Sequence, residues 1–115
     1  MKDDRLYLLH ILECIARIEI YIADGESSFM SDTKTQDAVL RNLHTLSESA
    51  QRLSDQIKEA HPEVEWKAIS GFRNVVVHDY LGVKLARIWE VVQTHVPALK
   101  ADVEVMLRKM DESPG

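Results

Sequence analysis

The stretch Arg-Asn-Val-Val-Val-His-Asp-Tyr, residues 73–80, decides the fold class of this 115-residue chain. Three consecutive valines are typical of a buried strand. The apolar residues on both sides instead recur near helical spacing, and the sequence offers no second strand that could pair with a single one. An unpaired strand would leave its backbone hydrogen-bonding groups unsatisfied. The sequence therefore predicts that residues 66–80 form a helix ending near Tyr80, with Gly82 as its stop signal.

This predicted helix brings together side chains that suit a phosphodiester. At about 100° per residue, Arg73 and His78 lie about 140° apart around the axis, an angle that a long guanidinium can span. Tyr80 shares the stripe of Arg73, and Asn74 lies one turn before His78. Arginine offers a planar fork of donors to phosphate oxygens, and histidine transfers protons near neutral pH. The alternative is that both are solvated side chains facing the dipole of the helix end.

The rest of the chain predicts an all-α protein with four main helices. They are expected at about residues 4–23, 34–60, 66–80 and 84–95. Alternating steps of four and three in the second helix, together with short connections, predict an up-and-down four-helix bundle. Pro97 is expected to kink the last helix or to divide it from a segment reaching Lys109. Residues 1–110 are expected to form one domain, and residues 111–115 a frayed tail.

The first helix has more apolar surface than a single core contact requires. Its polar side chains are confined to one narrow stripe of His10, Glu13 and Arg17. Such a helix lies centrally in a bundle or contributes to an oligomer interface, and the small size of the domain favours the interface. Between the first two helices, residues 24–28 are expected to form a polar loop, with Thr33 and Gln36 in a capping box.

Composition restricts the partners and cofactors. The net charge of −5 and the pI near 5.5 argue against a broad basic face for nucleic acid, so any RNA contact is local or built from more than one chain. No apolar run approaches membrane-spanning length and no secretory signal is recognised, so a cytoplasmic location is expected. The five histidines lack metal-ligand spacing, and lone Cys14 is expected to be a buried structural thiol. Neither a metal nor another cofactor is expected.

The motif and its surroundings resemble a known family. Residues 66–80 are similar to the motif of the HepT-like ribonuclease toxins of the HEPN superfamily, in which Arg-Asn is followed, four to six residues after the arginine, by His. The resemblance extends to Phe29, 35–39, 41–43 and 88–97. Two departures occur: Ser47-Glu48-Ser49-Ala50 stands where relatives often carry Gly-Glu-Ala, and Val83-Lys84 replaces the acidic residue that commonly opens the fourth helix.

The resemblance implies a homodimeric bundle that cleaves RNA without a metal, in a cleft where the motifs of two subunits meet. Arg73 and His78 would be catalytic, and Asn74 would support them by orienting the imidazole or binding phosphate. The family also implies a toxin–antitoxin pair, in which a minimal nucleotidyltransferase antitoxin transfers AMP to Tyr80. Tyr80 could instead pack the helix end against Trp89. The alternative function is a non-catalytic, nucleotide-binding accessory subunit of a nucleotidyltransferase.

Overall fold

The computed structural model describes residues 2–74 and 85–112, and every regular element within those ranges is helical. The elements are α1 (Lys2–Tyr21), α2 (Glu26–Ser31), α3 (Thr33–Gln51), α4 (Asp55–Ala60), α5 (Trp66–Asn74), α6 (Leu85–Glu90), a π-helical segment (Val91–His95) and α7 (Val96–Glu112). The predicted all-α bundle is confirmed. None of the helices in the described ranges is both long and apolar enough to cross a membrane.

Helix α3 is the centre of the bundle. It packs between α1 and α5, while α7 closes the bundle against α1. The heptad positions of α3 that the sequence identified are its buried face, so their burial supplies much of the stabilising contact. These residues are Val39, Leu43, Leu46 and Ala50. The resulting molecule measures 49 × 25 × 20 Å.

One face of α1 enters this core and another remains in solvent. Leu8, Ile11, Cys14, Ile15 and Ile18 are buried, which confirms the predicted burial of the Cys14 thiol. On the outer side, Leu6, Leu9 and Ile20 are 57%, 45% and 72% exposed. The chain's own helices therefore do not enclose α1, and the central position considered from the sequence is not what the fold uses.

The predicted continuous helix over residues 34–60 is wrong, because the chain breaks at 52–54 and restarts as α4. The hydroxyl oxygen of Ser54 caps α4 by accepting the Ile57 N–H at 3.2 Å. The buried Asp4 carboxylate accepts both the N–H and the hydroxyl of Ser54, at 2.8 and 2.6 Å. A contact 50 residues away in sequence thus stabilises the break, which local helical pattern does not reveal.

The predicted polar loop at 24–28 is also wrong in part, since Glu26, Ser27 and Ser28 begin the short helix α2. Gly25 precedes α2 with a φ of 94°, a conformation that glycine adopts without strain. The proposed capping box is absent as well: the Gln36 amide donates to the carbonyls of Phe29 and Met30, at 2.9 and 3.2 Å. Gln36 therefore holds α2 onto α3.

The actual cap of α3 is Asp32. Its carboxylate accepts the Lys34 N–H at 3.1 Å and the Thr35 hydroxyl at 2.7 Å. These hydrogen bonds, that from Thr35 above all, lower the pKa of the Asp32 carboxyl, because they stabilise its charged form. The sequence correctly identified Asp32 as a start signal.

The last helix changes geometry just before Pro97. In the π-helical segment the Val96 N–H donates to the Val91 carbonyl, five residues back. Thr94 adds a hydrogen bond from its hydroxyl to the Glu90 carbonyl. In a regular α-helix the proline ring would clash with the carbonyl four residues earlier, and the wider turn precedes that position. The predicted division of the last helix is confirmed in this form.

Helix α7 extends beyond the predicted domain boundary. It reaches Glu112, and the Arg5 guanidinium donates to the Asp111 carboxylate at 2.7 Å. Asp111 and Glu112, placed in the tail by the sequence, are therefore helical. Both partners of the ion pair are about half exposed or more, so the pair contributes little to stability.

Candidate functional site

Helix α5, which begins the motif, is fixed to α3 by two hydrogen bonds. The Ser47 hydroxyl donates to the Ile69 carbonyl at 3.1 Å, and Ser47 is fully buried. One turn later on α3, the Gln51 amide donates to the Ser70 hydroxyl at 3.0 Å on the surface. The two bonds join successive turns of α3 to adjacent residues of α5, so they define where α5 lies along α3.

The start of α5 is fixed separately. The Trp66 indole N–H donates to the His61 carbonyl at 3.0 Å, and the Ile69 N–H donates to the Glu65 carbonyl at 3.1 Å. A tryptophan that hydrogen-bonds its own connector resists rotation of the first turn. The connector over residues 61–65 and the first turn of α5 therefore form one unit.

The residue just before the motif is anchored against the last helix. Phe72 is 2% exposed, and its ring meets the imidazole of His95 edge to face, with centroids 6.0 Å apart. Such geometry is favourable for two aromatic rings. The backbone of Arg73 follows directly, so its position on α5 is set by core packing.

The structure covers the predicted site only in part. The backbones of Arg73 and Asn74 form the end of α5, as the sequence predicted, while their side chains lie outside the described part. His78 and Tyr80 lie outside the described residues altogether. The catalytic pair, the supporting Asn74 and the modification site therefore stay predictions. Trp89, considered as a packing partner for Tyr80, has its ring 5.3 Å from that of Phe29.

A cavity of about 160 Å³ opens beside the first half of α5 and is lined by three carboxylates. Burial first, and then the negative charge of Glu63, raise the pKa of the Asp102 carboxyl. Glu65 adds to this negative field. Phosphate groups would be repelled by such a lining. The cavity is therefore unsuited to RNA, and any anion site on α5 belongs toward its carboxyl end, where Arg73 lies.

The histidine beside this cavity has a structural partner. Nδ1 of His61, a largely buried residue, lies 3.2 Å from Oε2 of Glu63. A hydrogen bond from its own backbone N–H, followed by this contact, lowers the pKa of the Glu63 carboxyl. Among the residues that the structure describes, no group of three or more His, Cys, Asp or Glu side chains is arranged to hold a metal ion.

Sequence reasoning noted Ser47 only as a departure from relatives and missed its contact with α5. The available signal was a small hydroxyl residue one position after heptad Leu46, in an otherwise apolar part of α3. A buried hydroxyl needs a hydrogen-bond partner, but the sequence does not say which carbonyl supplies it.

Comparison with known proteins places this geometry. The family model described as "Ribonuclease HepT-like" matches residues 11–106, a range that contains α5 and the whole 73–80 stretch. A protein of Caldanaerobacter subterraneus subsp. tengcongensis, named "Putative RNase", is 36% identical over 95% of this chain and 98% of its own length. The "Probable ribonuclease HepT" of Thermococcus cleftensis is 35% identical over 94% of this chain and 98% of its own length.

A third relative is longer. The "Gamma-glutamylcyclotransferase and putative RNase" of Methanocaldococcus jannaschii is 34% identical over 97% of this chain, which spans only 51% of that protein. No solved structure matches the chain. The family match over most of the chain agrees with the all-α bundle built around α3 and α5. The chain therefore belongs to the HepT-like ribonuclease family of the HEPN superfamily.

Proposed function

We propose that this HepT-like ribonuclease is a metal-independent endoribonuclease in which Arg73 and His78 act on the scissile phosphate. The observation that carries the proposal is the family match, which includes the Arg-Asn-x-x-x-His segment and the helix that presents it. The 2′-oxygen of a ribose attacks the adjacent phosphorus while the bond from phosphorus to the 5′-oxygen breaks. His78 takes the 2′ proton or supplies one to the 5′-oxygen, and Arg73 stabilises the developing negative charge.

The chemistry of the product ends tests this proposal. An RNA oligonucleotide incubated with the purified protein in EDTA is expected to yield 2′,3′-cyclic phosphate and 5′-hydroxyl ends, because the 2′-oxygen is the nucleophile. Mass spectrometry of the fragments distinguishes these ends from others. A matched oligonucleotide with a single 2′-deoxy residue at the cleaved position should resist. Fragments carrying 5′-phosphate ends, or cleavage that disappears in EDTA, would contradict the mechanism.

The proposed active unit is a homodimer formed by α1 together with the motif helix. The exposed Leu6, Leu9 and Ile20 support this assignment, since large apolar side chains in solvent favour a partner surface. Antiparallel pairing of α1 with its copy, centred near Ile15, would set Leu9 opposite the partner's Tyr21. It would also set Glu13 opposite the partner's Arg17. A two-fold axis repeats each such contact, and two copies of Arg73 would then meet in an otherwise acidic protein.

Substituting Ile20 with lysine is expected to shift this dimer to the 13.2 kDa monomer. Ile20 is 72% exposed within one chain, so the change should spare the monomer fold while placing a charge in the interface. Light scattering at micromolar concentration measures the mass. Thr45→Lys, which adds the same charge on the exposed side of α3, is the control and should stay dimeric. A wild-type protein that is monomeric at that concentration would refute the assignment.

We further propose that a nucleotidyltransferase partner controls the enzyme by transferring AMP to Tyr80, as in a toxin–antitoxin pair. The family resemblance of residues 66–80 supports this. The added phosphodiester is anionic and would compete with RNA for the guanidinium of Arg73, while the adenosine blocks entry by its size.

Tyr80→Phe is therefore expected to escape this control and to keep most of its RNA cleavage. The protein is incubated with ATP, Mg²⁺ and the nucleotidyltransferase encoded beside it, and the AMP mass is then located by peptide mapping. Tyr21→Phe is the matched control and should still be modified and inhibited. AMP on Tyr7 or Tyr21, or inhibition of Tyr80→Phe equal to that of wild type, would exclude Tyr80 as the switch.

A further inference from the structure

The buried hydroxyl of Ser47 makes an unusual choice of partner. A serine or threonine in a helix commonly donates to the carbonyl four residues back on its own helix, as Thr45 of α3 does toward Arg41 at 2.9 Å. Ser47, two residues later and fully buried, donates instead to Ile69 on α5 at 3.1 Å. The only strong polar link in this part of the α3–α5 contact that is shielded from water is thus directed at one carbonyl among the described residues.

That carbonyl is tied to the motif. Ile69 lies four residues before Arg73, and both belong to the continuous helix α5, so the Arg73 backbone N–H donates to the Ile69 carbonyl by the α-helical pattern. The Ser47 hydroxyl and the Arg73 amide therefore converge on one oxygen, which can accept two hydrogen bonds. A shift of α5 along α3 would break the first bond and carry Arg73 with it.

We propose that Ser47 is a positioning residue for Arg73. It holds the last turn of α5 at the height on α3 where the guanidinium meets the scissile phosphate, and it rests on the proposed function of Arg73. The opposite side of α5 is braced by apolar contact of Phe72 with His95, which limits rotation but is not directional along the axis. The exposed Gln51–Ser70 bond competes with water, so the buried Ser47 bond is the firmer axial constraint.

A positioning role predicts a specific kinetic pattern. Contacts to charge that develops in the transition state depend steeply on placement, whereas the binding of an RNA chain is shared by many contacts. Loss of the Ser47 bond should therefore lower kcat and leave KM nearly unchanged. The expected loss is about tenfold, below the roughly 100-fold that a 1 Å misplacement can cost.

Ser47→Ala is the central variant, and it should fold because the Ile69 carbonyl keeps its helical partner. Ser47→Cys preserves the volume with a weaker donor, and its kcat should lie between those of alanine and wild type. Thr45→Ala removes the same type of bond within α3 without touching α5, and its kcat should match wild type. All are assayed on one RNA oligonucleotide in EDTA, well below the Tm of each variant.

The decisive comparison combines Ser47→Ala with Arg73→Ala. If Ser47 acts through Arg73, its substitution should cost nothing more once the guanidinium is gone, since coupled residues are not additive. An equal tenfold loss in both backgrounds, or no loss from Ser47→Ala alone, would overturn the inference while leaving the proposed function intact. If Arg73→Ala itself cleaves RNA like wild type, the proposed function fails first, and the inference fails with it.

Discussion

Replacing His78 with alanine should lower kcat for RNA cleavage by about 10²- to 10⁴-fold, the range that a positioned proton-transfer group supplies. The physical reason is that neither the 2′-hydroxyl nor the 5′-leaving oxygen changes its protonation easily near neutral pH. An imidazole can accept or donate that proton in the transition state. Removing it leaves the charge stabilisation by Arg73, so some cleavage should persist above that of free RNA.

The measurement is single-turnover cleavage of a labelled RNA oligonucleotide, with EDTA present so that contaminating metal-dependent nucleases are silent. His44→Ala provides the matched control, because His44 lies on α3 with its ring 3.7 Å from Glu48, away from the motif helix. Far-ultraviolet circular dichroism confirms that both variants stay folded. A folded His78→Ala protein that cleaves as fast as wild type rules out the proton-transfer role.

Phe29→Ala should reduce the free energy of unfolding by about 3–5 kcal/mol, a large part of the 5–15 kcal/mol typical of a domain. Phe29 is fully buried, its ring lies 5.3 Å from that of Trp89, and it is the buried anchor of α2. A helix of six residues is not stable alone. Truncating its anchor should therefore release α2 as well as leave a cavity.

Urea denaturation followed by circular dichroism measures this loss. Met30→Ala is the graded control: it follows Phe29 on α2 and is only partly buried, so about 1 kcal/mol is expected. Because the Phe29 carbonyl is held by Gln36, the backbone of α2 stays tethered in both variants. Equal losses in the two variants would show that α2 is fixed by its backbone contacts and not by the buried ring.

The sequence predicted those features of the fold that depend on local pattern. The heptad steps of α3 and the apolar face of α1 are periodic over many residues, so helix type and core face followed directly. The break at 52–54 escaped prediction because it depends on Asp4, which is distant in sequence. Helix α2 was missed because its Glu-Ser-Ser start resembles a loop, and only the packing of Phe29 makes it helical.

The candidate site divides in the same way. Arg73 was placed at the correct helical end because the flanking apolar spacing continues from Trp66 to Phe72. The brace around it was not predictable, since Ser47 and His95 reach α5 through tertiary contacts across 22 and 23 residues of sequence. A hydroxyl or an imidazole in a sequence carries no mark of the partner that the fold will give it.

The π-helical segment has a consequence for how this family can change its length. Each residue of an α-helix advances the helix by about 100°, so deleting one residue from 91–95 would rotate everything after it by that angle relative to α6. Leu99, Val103 and Met106, all buried, would then turn away from the core that Ile88 still faces. Point substitutions in this segment can be absorbed one at a time, but a codon lost from it would misalign a whole helix. Descendants of this gene are therefore free to vary the letters of the segment and bound to keep their number.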